Sequence, residues 1–147
     1  MVSVLTPVSR WQRVKAVGPV LGLVGWTLFT WANRIRLAAA DTSLHGFSRL
    51  WAIGLAIVFT TVALALGAAA LAFVAGSAGV PGGRLRRGAL ALALIGSAWW
   101  AVRGVQISLH DHPIGFKVVH SVLALVTIGL SALVGRWWQR LEATVGA

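Results

Sequence analysis

Apolar residues run through this chain in four long blocks, separated by short clusters of arginine, tryptophan, histidine and glycine. The blocks cover about 17–33, 50–74, 89–109 and 114–134, and each contains one charged residue or none. A helix rising about 1.5 Å per residue crosses the hydrocarbon core of a bilayer in about 20 residues. Each block therefore predicts one membrane span. Little chain remains outside them, so the expected fold class is all-α: an integral membrane four-helix bundle, forming a single transmembrane domain over 1–147.

The polar clusters between the spans carry a repeat. A shift of 69 positions aligns Trp31, Ala32 and Arg34 with Trp100, Ala101 and Arg103, and Gly46 and Phe47 with Gly115 and Phe116. Five identities in seventeen positions exceed the roughly one expected by chance. The repeat predicts two tandem helical hairpins related by a pseudo-twofold along the membrane normal, because each unit contains two spans. Residues 76–88, rich in glycine with Pro81 and three arginines, then form a cytoplasmic joint. Arg103 lies inside the third block, but its alignment with Arg34 places both at the membrane boundary. There a guanidinium can snorkel to water.

Charge gives the spans a direction. The formal net charge is +10, from 13 Lys and Arg against 3 Asp and Glu. Eight of the basic residues fall on the side of the termini and the joint, and five on the side of the two elbows. The positive-inside tendency therefore puts both termini in the cytoplasm. Arginines flanking spans meet anionic lipid head groups, so membrane lipids are expected partners and nucleic acid is not. Trp31, Trp51, Trp99 and Trp100 near one boundary, and Trp11, Trp137 and Trp138 near the other, make two interfacial belts. High Ala, Val, Arg and Gly usage fits a GC-rich bacterial source and a multi-pass protein of the inner (plasma) membrane. Arg34 and Arg36, lying before Ala38-Ala39-Ala40, disfavour reading the first span as a cleaved signal peptide.

Candidate chemistry gathers on the elbow side, which holds all four histidines with Asp41 and Asp111. Arg34, Arg36, Arg103 and Lys117 form a candidate basic cup for a phosphate or carboxylate, since guanidinium recognises both in bidentate fashion. His110, His112 and His120 are candidate metal ligands, although no established ligand spacing is present. Haem b would need axial histidines on facing helices, and only His120 lies clearly within a span. No cofactor is therefore expected. Cysteine and tyrosine are absent, the one Glu is at the far end, and no catalytic motif occurs, so the chain reads as a non-enzyme. Small residues such as Ala63 and Gly67, with Trp31, Trp99 and Trp100, are candidate partner-interface positions. The leading expectation is a non-catalytic accessory or assembly subunit of a larger membrane complex, a transporter or respiratory assembly. The alternatives are a lipid or small-anion binding protein using the cup, and a metal or haem protein.

Overall fold

The computed structural model describes residues 9–42, 45–77 and 82–145, with side chains as far as Arg140. They form four helices: α1 Arg10–Ala40, α2 Gly46–Ala75, α3 Gly83–Leu109 and α4 Ile114–Val145. All four are long and apolar enough to cross a membrane. Each also outruns its apolar block, because hydropathy marks the edge of the hydrocarbon while helix ends depend on caps. At the start of α1, Ser9 and Gln12 form a capping box in which each side chain bonds the other's backbone N–H. α1 passes Arg34 and Arg36 and continues through Ala38-Ala39-Ala40, good helix formers, to an extended Asp41. α2 stops at Gly76, whose φ of +83° is the left-handed conformation that closes a helix end. The guanidinium of Arg13 covers this glycine, a cation at the negative end of α2. The centre of the proposed joint, 78–81, lies outside the described residues.

α1 packs chiefly on α2, and α3 on α4; the two pairs meet along α1/α4 and more sparingly along α2/α3. This is the pairing expected of two hairpins. Contacts at both ends fix an up-down-up-down bundle. At the terminal end, the Trp137 indole donates to the Ala16 carbonyl and the Arg86 guanidinium lies 4.8 Å from the Trp138 ring. Pro19, three residues beyond Ala16, has no N–H to return to the Lys15 carbonyl, so this turn of α1 is one hydrogen bond short. The core between the pairs is built from Val17, Val20, Leu23 and Val24 of α1 against Ala56, Ala63 and Ala70 of α2 and Ala89, Leu92 and Ala93 of α3. Small residues on α2 let α1 approach closely. The apolar faces of α2, α3 and α4 that point away from this core, among them Leu64, Leu94, Val122 and Leu125, are exposed.

The two elbows share one construction. α1 ends at Ala40 and α3 at Leu109, again 69 positions apart. In the first, Arg49 of α2 donates to the Ala39 carbonyl at 2.7 Å. In the second, Lys117 of α4 reaches the Ser108 carbonyl at a longer 3.5 Å. Each incoming helix thus supplies a cation to the unpaired carbonyls of the helix that precedes it.

Candidate functional site

At the elbow end the bundle opens into a cavity of about 600 Å³. α1 lines it with Thr30, Arg34, Leu37 and Ala38, which fall on one helical face, and its extended C-cap Asp41 adds a carboxylate. α3 adds Trp99, Trp100 and Arg103, and α4 adds Phe116, Val119, His120 and Leu123, while α2 contributes Ala52 alone. The inner wall is aromatic. Trp31 is only 3% exposed and stacks on Phe59 with ring centroids 4.3 Å apart and planes 6° from parallel. Trp99 leans on Trp31 at 6.1 Å, and Trp100 is buried beside them.

Two guanidiniums enter this apolar space. Arg34 and Arg103 are both half-buried and close enough to repel each other. Arg34 lies 6.0 Å from the Trp31 ring; its Nε is buried and has no hydrogen-bond partner among the described residues. The Thr30 hydroxyl, on a residue 9% exposed, is in the same condition. Arg103 donates from Nη1 to Gln106 Oε1 at 3.2 Å. His120 Nδ1 meets the Phe116 carbonyl at 2.9 Å, which assigns the proton of the neutral ring to Nδ1 and leaves Nε2 as the acceptor. Buried donors without acceptors are costly. The cavity is therefore aromatic-walled, with two guanidiniums set against the single carboxylate of Asp41 among its described lining residues and with Arg34 Nε and the Thr30 hydroxyl unpartnered, a setting that suits an anionic oxygen cluster carried on an apolar body.

Two of the four cup residues named from the sequence meet here, Arg34 and Arg103, together with their repeat partners in register, Trp31 and Trp100. Arg36 projects from another face of α1 and is exposed. Lys117 is engaged at the end of α3 and lines no part of the cavity. The candidate metal ligands separate. His110 and His112 line a smaller neighbouring cavity with Arg103 and Gln106, whereas His120 lines the large one. Phe116 packs between the rings of His112 and His120, at 4.7 and 4.0 Å. Among the described residues no three His, Cys, Asp or Glu side chains gather into a set that could hold a metal ion. The structure also places the expected partner positions within the bundle. Trp31, Trp99 and Trp100 form the cavity wall, Ala63 is fully buried, and a Cβ on Gly67 would stand 3.1 Å from Val24 Cγ1. These residues are taken up by the chain's own bundle.

Thr30, Leu37, Val119 and Leu123 belong to the site and were not among the candidates. Their signal was available in the spacing: Thr30, Arg34 and Leu37 share one helical face with Trp31 beside them, and Phe116, His120 and Leu123 share another. Compared with known protein families, with curated proteins and with solved structures, the chain matches none.

Proposed function

We propose that this chain is a non-catalytic membrane protein that binds a phosphate- or carboxylate-bearing ligand in the elbow-end cavity, with Arg34 and Arg103 as its principal contacts. One observation carries the reading: repeat-equivalent arginines from the two hairpins converge on one cavity beside a buried hydroxyl that lacks a partner among the described residues. Arg34 offers the Nε edge for a forked bond, Thr30 adds a hydroxyl, and the tryptophans exclude water and strengthen each charged contact. The charge distribution supports an orientation with the termini cytoplasmic and the cavity on the opposite side of a bacterial inner membrane. The test is equilibrium binding of inorganic phosphate and of phosphatidate to purified protein, with Arg34→Gln and Arg103→Gln as variants. Each substitution removes a charge-assisted hydrogen bond, so the dissociation constant should rise about 10- to 100-fold. Unchanged affinity in both variants, or no binding of either probe, overturns the reading.

A second reading, an accessory subunit of a larger membrane complex, draws support from α4. Gly129 and Ala132 on this helix are exposed, and a Cβ built on Gly129 meets nothing within 4 Å. Close helix contacts in membranes form at such places. Its test is crosslinking from Gly129→Cys in native membrane: a discrete heterologous adduct supports it, and only monomer counts against it.

A further inference from the structure

The anion site does not itself say whether its ligand comes from water or from the bilayer, but the walls of the cavity do. α1 and α4 touch along their deeper turns, where a Cβ placed on Gly22 would stand 3.5 Å from Leu130 Cδ2 and Trp26 Nε1 donates to Thr127 Oγ1 at 2.9 Å. Toward the elbows the cavity takes the place of such contacts. Its outer edge there is apolar and uncovered: Phe29 and Leu37 of α1 are 59% and 64% exposed, and Val119 of α4 is 56% exposed. The opposite side, toward α2, is closed by Trp31 stacked on Phe59 and braced by Trp99. The repeat is asymmetric at this point, because Phe47 and Trp51, the counterparts of Phe116 and His120, stack on each other and are exposed away from the cavity.

Depth agrees with sidedness. Arg34 lies 19 residues beyond Lys15 on α1, and Arg136 lies 19 beyond Lys117 on α4. At about 1.5 Å per residue each interval is about 28 Å, the thickness of the hydrocarbon core. The guanidiniums therefore stand at head-group level; Phe29 and Val119 lie on the hydrocarbon side of that level and face acyl chains, while Leu37 stands one turn farther toward the elbow.

We infer that the opening between α1 and α4 is a lateral portal, and that the ligand is an anionic bilayer amphiphile whose head sits on Arg34 and Arg103 while its tail leaves between Phe29 and Val119. This rests on the anion-binding reading and narrows its ligand to one drawn from the membrane. A cavity of about 600 Å³ accommodates a drug-sized volume. That is room for a head group and the upper part of one chain, with the remainder in the lipid.

The test reconstitutes the whole chain in nanodiscs containing either phosphatidate or phosphatidylcholine with a photoreactive diazirine in one acyl chain, and maps the adducts by mass spectrometry. Adducts should concentrate on α1 and α4 around Phe29 and Val119, at least about tenfold more with phosphatidate than with phosphatidylcholine. Arg34→Gln with Arg103→Gln should abolish the preference, and Val119→Trp should fill the rim and suppress the labelling. The comparison of the two lipids on the unaltered protein decides the matter even where a variant fails to fold. Equal labelling by both lipids, spread over every lipid-facing helix, overturns the portal. If inorganic phosphate nevertheless binds in an Arg34- and Arg103-dependent way, the anion site stands and its ligand comes from water. If phosphate does not bind either, both readings fall together.

Discussion

Trp26 and Thr127 make a polar contact between α1 and α4 in the middle of the bundle, far from either row of charges. Thr127 also donates back to the Leu123 carbonyl at 2.8 Å, so its hydroxyl is already satisfied as a donor when it accepts from the indole. Trp26→Phe keeps an aromatic ring and removes this one bond, and should cost about 0.5–1.5 kcal/mol. Unfolding in mixed micelles, with Thr127→Val and the double variant completing a cycle, measures it; strictly additive losses would show that the two groups do not interact. Gly76 tests the backbone. An alanine there must adopt a positive φ and displace the Arg13 guanidinium, so Gly76→Ala should cost about 1 kcal/mol or more by the same unfolding measurement. Gly88→Ala should be milder, because the atom it meets is the movable end of Leu66. At this scale the sequence was a partial guide. The depth of Trp31 follows from its place beside Arg34, but its burial against Phe59 depends on how two helices face each other. Helices apolar all round carry no stripe that records such facing.

The helical hairpin is the natural element of this molecule, because pairing within α1/α2 and within α3/α4 is denser than pairing between them. A protease site inserted into the joint between Gly76 and Gly83 should therefore leave two halves that stay together after cleavage, held by α1/α4 and α2/α3. Separation of the halves on detergent gel filtration would show that the joint, and not the packing, holds the hairpins in place. The spans and the pairing of neighbouring helices were legible in the sequence, since both are written in composition and spacing. The ends of the helices were not. Arg34 and Arg36 marked the edge of the hydrocarbon, while the backbone remained helical for the further residues up to Ala40. A guanidinium at the interface is compatible with helix, and nothing before Asp41 breaks it.

Viewed as a whole, the molecule is a charge-free slab between two layers of cations, with the cavity recessed into one of them. The absence of cysteine makes the arrangement easy to map: Asp41→Cys and Ser77→Cys should react with a membrane-impermeant maleimide from opposite sides of intact cells or inverted vesicles, and Leu64→Cys from neither. Labelling of Asp41→Cys and Ser77→Cys from the same side would refute the up-down arrangement in the membrane. The cavity was foreseeable only in part. The repeat pointed to Arg34 and Arg103 as equivalents, but their meeting in one space depends on the packing of four helices. So does the departure of Arg36 and Lys117 from the site.

The distribution of tryptophan has a practical consequence. Trp31, Trp99 and Trp100 form the cavity wall, whereas Trp11, Trp137 and Trp138 lie near the other ends of their helices, separated from the cavity by most of the bundle's length. The protein thus carries its own optical reporter. Occupancy of the cavity should change the polarity around Trp31, Trp99 and Trp100, so a shift of ultraviolet emission that is lost when these three are replaced by phenylalanine would follow binding without an attached dye.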